Sequence, residues 1–188
     1  MAMNYDVYIW DLGGTLLDNY ETSTKAFVET LAAYNLPGNH DQVYAKLKVS
    51  TEVAVATFAP FESNFLKDYK KREASALANP IWRHGAQEVL AKITKSGGQN
   101  FLISHRDEQV LHLLSQAHLL DYFTEIITSG NGFERKPNPE SLFYLKEKYQ
   151  IHKALVIGDR PIDRQAGQAA GFDTLLVDEN KSLLEIVN

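Results

Sequence analysis

The 188-residue sequence contains no cysteine, which excludes disulfides, thiolate metal sites and cysteine nucleophiles. It also lacks an excess of positive charge: 19 Lys and Arg stand against 24 Asp and Glu, a formal net charge of -5. General affinity for nucleic acid needs a basic footprint, so no such partner is expected. No apolar run approaches the ~20 residues of a membrane span, and no membrane association is expected. Met1 to Tyr5 carries no basic residue, and Asp6 and Asp11 interrupt the apolar stretch that follows. A signal peptide is therefore not expected, and the location is read as cytoplasmic. Internal repeats and low-complexity tracts are missing as well. What remains is ordinary globular material, 44% hydrophobic and 23% charged, enough for one domain plus a small insertion.

Within that material, short apolar runs alternate with amphipathic ones. Asp6 to Leu12 is aromatic-rich and stops at a carboxylate followed by two glycines, as a buried strand does at a loop. Asn100 to Ser104, Ala154 to Gly158 and Thr174 to Val177 have the same character, and Thr124 to Thr128 is a weaker version. Between them, Gly85 to Lys95 sets Val89, Leu90 and Ile93 on one helical face. Glu108 to His118 does so with Val110, Leu111, Leu114 and His118. Pro139 to Tyr149 and Pro161 to Ala170 follow, the last ending at Gly171, a helix stop. The alternation predicts an α/β fold, a mainly parallel sheet with helices on both faces. From Tyr20 to about Ala78 no strand pattern occurs, only helical stretches such as Thr24 to Tyr34 and Phe65 to Leu77. These are broken at Leu36-Pro37-Gly38 and Ala59-Pro60. An all-helical insertion over 20–79 inside a core of 1–19 and 80–188 is expected, with Asn79-Pro80 as a hinge.

Ligands of open α/β sheets bind beyond the carboxyl ends of the strands, so the residues at those ends matter most. The first strand delivers Asp11 and then Gly13-Gly14-Thr15; the second delivers Ser104-His105-Arg106. Arg135-Lys136-Pro137 precedes one helix, and the fourth strand delivers Gly158-Asp159 with Asp163 four residues on. Three carboxylates meeting at one edge suit a hard cation such as Mg²⁺. A lysine supplies compact positive charge for phosphate oxygens, and glycines let backbone N–H groups approach an anion. Taken singly, each feature has a plainer meaning: a turn aspartate, a solvated lysine, carboxylates at a helix N-terminus. Together and in this order they point to a phosphate site.

The four segments, DLGGTLLD, LISHRD, RKPNPE and IGDRPID, resemble the four motifs of haloacid dehalogenase-type hydrolases, over nearly the whole chain. The resemblance implies a Rossmann-like core with a helical cap that closes over substrate, and phosphoglycolate-type or sugar-phosphate phosphatases as the nearest activities. It implies Asp11 as the nucleophile on a small phosphorylated metabolite, through an aspartyl-phosphate. Mg²⁺ would be held by Asp11, the backbone carbonyl of Gly13 and Asp159, with Asp163 ordering its waters. Lys136, Ser104, His105 and the backbone at Leu12 and Gly13 would cradle the phosphate.

One position departs from the pattern. The family's second aspartate, two residues past the nucleophile and normally the acid for the leaving group, is Gly13 here. Three readings follow: a substrate with a good leaving group, a substitute donor such as His105 or a cap residue, or a weakened catalyst that mainly binds a phosphometabolite or a protein partner. Metal-free dehalogenases also lack that aspartate, but IGDRPID argues for a metal. Phosphonatases lack it too and use a cap lysine, a reading not favoured here; Lys48, close to Lys46, is read either as a contact for a substrate anion or as a solvated lysine at a helix end. His84, His112, His118 and His152 show no ligand spacing, and Trp10 reads as core. Nothing in the sequence specifies an oligomeric state.

Overall fold

The computed structural model describes residues 4–178 and 180–187. Met1 to Met3, which enter the argument against a signal peptide, and residues 179 and 188 of the expected core lie outside that range. The chain divides into two compact units, one made of Met1–Leu17 with Trp82–Asn188 and the other of Asp18–Ile81.

The first unit is built on five strands: β1 (Val7–Trp10), β2 (Gln99–Ile103), β3 (Phe123–Ile127), β4 (Leu155–Gly158) and β5 (Asp173–Leu176). They lie in the order β3-β2-β1-β4-β5, and every pairing is parallel. β1 is central because both its faces are apolar. Tyr8 and Trp10 point into one core, and Val7 and Ile9 into the other, as the two-residue period of a strand requires. Helices α5 (Ala86–Lys95) and α6 (Gln109–Gln116) cover the first face through Val89, Leu90, Ile93, Val110 and Leu114. Helices α7 (Glu140–Lys148) and α8 (Pro161–Ala169) cover the other through Leu142, Leu145 and Ala166. Trp10 is fully buried, and its indole N–H donates to Asn100 Oδ1 at 3.0 Å. Asn100 Nδ2 in turn donates to the Leu90 and Tyr122 carbonyls, so this polar pair leaves no desolvated group unmatched.

The ends of several elements differ from the sequence expectation by one to three residues. α6 stops at Gln116 rather than reaching His118, which takes a left-handed backbone (φ 56°). Leu111 is not on its buried face; it is 40% exposed. Pro139 stands before α7 as its cap rather than inside it.

The second unit contains α1 (Asn19–Ala33), α2 (His40–Val49), α3 (Thr51–Phe58) and α4 (Phe65–Leu77). Their starts are set by side-chain caps: Asp18 accepts from the Glu21 N–H, Asn39 from Gln42 and Ser50 from Val53. Phe27 anchors its core, with edge-on contacts to Phe58, Phe65 and Tyr69. Buried Tyr69 and Ser23 both donate to Glu73 Oε1, at 2.7 and 2.6 Å. The units part at Leu17/Asp18 and Ile81/Trp82, two residues outside each expected boundary. Among the described residues no helix is long and apolar enough to cross a membrane.

Candidate active site

At its carboxyl end β1 keeps its register with β4 for one residue more, through a 2.8 Å bond from the Asp11 N–H to the Ile157 carbonyl. The chain then coils tightly: the Leu12 carbonyl accepts from the N–H groups of Thr15, Leu16 and Leu17, at 3.2, 3.0 and 2.9 Å. Gly14 makes that turn possible with φ of 83°, a value that penalises any Cβ. It is also needed for space, since a Cβ there would overlap the Asp159 carboxylate. Gly13, by contrast, is not among the left-handed residues, and it bridges to Leu17. Thr15 is fully buried and donates from Oγ1 to Asp11 Oδ2 at 3.3 Å, which limits rotation of the carboxylate.

Lys136 comes to the same place from the loop before α7. Its Nζ lies 2.5 Å from Asp11 Oδ1 and 2.6 Å from Asp163 Oδ1, and it donates to the Ile103 carbonyl at 3.4 Å. The side chains of Lys136, Asp11 and Asp163 are 3%, 7% and 1% exposed, so little solvent screens these charges. Asp163 sits in the first turn of α8, and its Oδ2 accepts from the N–H groups of Asp159 and Arg160, at 3.3 and 3.0 Å. Gly158 makes room for it: a Cβ there would collide with the Asp163 side chain. Half-buried Asp159 completes a group in which Asp11, Asp159 and Asp163 each offer an oxygen within 4.8 Å of the others. A donor set of carboxylate oxygens alone, with a glycine-lined turn beside it, fits a hard divalent cation.

Burial moves the ionisable groups in ways that expose this need. Desolvation raises the Asp11 carboxyl above its ordinary range; Lys136 opposes that rise and the like charge of Asp163 adds to it. For Lys136, desolvation pulls the ammonium down, but the Asp11 and Asp163 carboxylates outweigh it and hold it above the ordinary 10.5. The cluster thus sets buried Lys136 among three carboxylates, with the half-exposed Arg160 Nε 3.9 Å from Asp159 Oδ1, an arrangement that a bound divalent cation would relieve.

Ser104 is buried at the end of β2, where its N–H donates to the Ile127 carbonyl and its Oγ accepts from the Arg106 N–H at 3.1 Å. As an acceptor in that bond the hydroxyl keeps its own proton to donate. His105 points toward the Lys136 loop, its Nε2 accepting from the Lys136 N–H at 3.0 Å. Desolvation, with the positive charges of Lys136, Arg135 and Arg160, pulls this histidine down to about 4. It is neutral near pH 7, so an imidazolium that protonates a leaving group is not available there. Lys48 belongs to the helical unit, in the last turn of α2, its ammonium 5.7 Å from the ring centres of both Tyr20 and Tyr44. His84, His112, His118 and His152 are exposed.

Two contributors escape a reading by motif. Thr15 stands in the first motif, but only the coil shows its bond to Asp11. Arg83 carries no local signal at all. Its Nη1 donates to the Gly14 carbonyl at 3.1 Å and its Nη2 to the Asp178 carbonyl at 2.9 Å, tying the loop after β1 to the one after β5.

The haloacid dehalogenase-like hydrolase family model matches residues 8–177. A crystal structure of a hydrolase from Streptococcus pneumoniae TIGR4 superimposes with a TM-score of 0.91 at 58% identity, covering 98% of this chain and 97% of that one. A HAD family hydrolase from Deinococcus radiodurans R1, crystallised with bound phosphate and sodium, shares the fold at 22% identity (TM-score 0.77; 92% and 80% covered). Among curated proteins, phosphoglycolate phosphatase of Nitrosospira multiformis is 28% identical over 183 residues, 89% of this chain and 80% of its own. The family match begins at the second residue of the first strand and ends just past the last, so it takes in nearly the whole sheet and the loops that carry Asp11, Ser104, Lys136, Asp159 and Asp163: the chain belongs to the haloacid dehalogenase-like hydrolases.

Proposed function

We propose that this hydrolase is a Mg²⁺-dependent phosphatase of a small phosphorylated metabolite, working through an aspartyl-phosphate on Asp11. The observation that carries the reading is the buried contact of Lys136 with both Asp11 and Asp163, next to Asp159. A lysine and two carboxylates withdrawn from water, with a third carboxylate half-buried beside them, make a poor structural pairing, but a suitable receptacle for a dianionic phosphoryl group and a divalent ion. Related proteins named phosphoglycolate phosphatase point the same way.

In this mechanism an Asp11 oxygen bonds to phosphorus as the bond to the leaving oxygen breaks; water later attacks phosphorus and releases Asp11. Thr15 holds the carboxylate in one orientation, and Lys136 balances charge on Asp11 and on the phosphoryl oxygens. Ser104 and the N–H groups around Leu12 and Gly13 bind those oxygens. Asp11, the Gly13 carbonyl and Asp159 would hold Mg²⁺, with Asp163 beside them, and the ion would supply electrostatic stabilisation of the phosphoryl group. Nothing at position 13 protonates the leaving oxygen, and neutral His105 has its Nε2 engaged by Lys136.

Two measurements test the reading. Mg²⁺ at about a hundred times its Kd stabilises by ~2.7 kcal/mol, so the melting temperature is expected to rise by about 5–10 °C over an EDTA control. Asp159→Ala loses most of that rise. Protons compete for Asp11, whose carboxyl is already raised, so the Mg²⁺ effect is full above that raised value and fades as pH falls through it. An unchanged melting temperature at pH 8 removes the metal from the proposal.

The second measurement is turnover against leaving-group basicity. Acetyl phosphate and p-nitrophenyl phosphate release stable anions and need little protonation, whereas a glycerol or sugar phosphate releases a basic alkoxide. The wild type is expected to prefer the first pair. Gly13→Asp, placed where φ tolerates a side chain, raises alkyl-ester turnover by at least ~10-fold, the cautious end of general-acid effects. A wild type that already favours alkyl esters disproves the missing-donor argument. One that binds phosphate without hydrolysing any ester is a binding protein instead.

A further inference from the structure

Lys136 enters the site on a turn with few ways to fix its backbone. Pro137 has no N–H to give, and the Asn138 N–H closes the turn on itself by donating to the Arg135 carbonyl at 3.0 Å. The Lys136 N–H is the donor that reaches another element, and it reaches His105 Nε2, 31 residues earlier, at 3.0 Å. A backbone N–H can only donate, so Nε2 must present a lone pair, and in the neutral ring the proton then sits on Nδ1. We propose that His105 is a positioning residue: as the Nδ1–H tautomer it pins the Lys136 backbone to the end of β2, so that the ammonium is delivered between Asp11 and Asp163.

The surroundings of the ring keep it in that form. Burial disfavours a charged ring first of all; Lys136 and Arg135 from its own partner loop and Arg160 from the β4–α8 loop oppose a positive charge as well, while Asp163 from α8 favours one. Together they lower the histidine to about 4. A protonated ring would set N–H against N–H and release the turn. The arrangement also ties the loop before α7 to the end of β2 at two points: Ser104 precedes the histidine directly, and the Lys136 ammonium donates to the carbonyl of Ile103. His105 therefore links the hydroxyl and the lysine without handling a proton in the reaction.

The inference rests on the phosphatase reading only for its effect on rate, and the experiment separates the two. In the full-length wild type with ¹⁵N-labelled histidine, NMR is expected to show His105 as the neutral Nδ1–H tautomer from about pH 8 down to about pH 5, well below an ordinary histidine transition. The Lys136 amide should exchange slowly with solvent. His105→Leu, similar in size but without an acceptor, should speed that exchange. It should also lower kcat by about 10- to 100-fold, the usual loss for a supporting hydrogen bond, with little change in KM. His105→Gln, whose Oε1 reaches the place of Nε2, should recover most of both. An Nε2–H tautomer, a ring charged at pH 6, or a folded His105→Leu with wild-type turnover and exchange overturns the proposal. If no phosphate ester is hydrolysed at all, the tautomer and the Lys136 exchange still decide it.

Discussion

Asp11→Asn is expected to remove turnover of every phosphate ester, by at least ~10³-fold, since loss of a nucleophile that acts as one unit with its neighbours costs on that order or more. The fold should survive. The amide fills the same space, Thr15 can still donate to its oxygen, and Lys136 keeps Asp163 at 2.6 Å. Replacing the carboxylate also ends a desolvation cost, for burial is the first cause of its raised pKa, so apo stability near neutral pH should change little. The Mg²⁺-induced rise in melting temperature should shrink, because the Asp11–Asp159–Asp163 group loses one of its anionic oxygens. Initial rates with acetyl phosphate and paired melting curves provide the check. A folded variant that keeps more than a tenth of the wild-type rate takes the nucleophile's role away from Asp11.

Lys136→Met should do damage of a different kind, to stability as well as to rate. Removing one partner from a buried ion pair costs roughly 3–5 kcal/mol, because the charges left behind stay desolvated. Here two carboxylates, Asp11 and Asp163, are left facing each other, at 7% and 1% exposure. The melting temperature is expected to fall by about 10 °C at pH 7, from that energy and the usual scaling for a chain of this length. In the wild type the raised Lys136 pKa means that its contribution is whole below the ordinary 10.5 and is lost only as pH rises through the higher folded value. At neutral pH all of it is therefore at stake. In the variant the Asp11 carboxyl rises further, so protonation becomes a remedy: stability should recover as pH falls through that raised value. Mg²⁺ should recover part of it at pH 7 by supplying positive charge. A variant as stable as the wild type at pH 7 in EDTA would mean that the two carboxylates are not held together as the distances indicate.

Much of the fold is written in local pattern. The alternating apolar and amphipathic runs are legible because β1, β2 and β4 are buried on both faces, and a doubly covered strand is a continuous apolar run. β3 is the faint run for a local reason: both edge strands, β3 and β5, are only partly buried, but β3 carries Glu125 at its middle, which takes hydrogen bonds from Tyr144, Lys148 and Tyr149. A residue chosen for those side-chain partners dilutes the apolar signal. The 3.6-residue period places Leu111 near Val110 and Leu114, but the rotation of α6 against the sheet is a matter of packing, and it buries those two while leaving Leu111 exposed.

Which chemical groups stand at the strand ends is a local matter: Asp11, Ser104 and Asp159 follow strands that their own composition specifies, and Asp163 opens a helix marked by Pro161. Short-range rules decide such placements. How those groups meet is set by long-range packing. The contact of Lys136 with Asp11 spans 125 residues, that of Arg83 with the Gly14 carbonyl 69, and that of the Lys136 N–H with His105 31. None has a period or spacing to reveal it, because each depends on the parallel stacking of β2, β1 and β4 that brings their carboxyl ends to one edge. The state of His105 is the clearest case: the same residue in the same motif reads as a proton donor by residue type, and it is a neutral acceptor because burial and three nearby cations disfavour its charge.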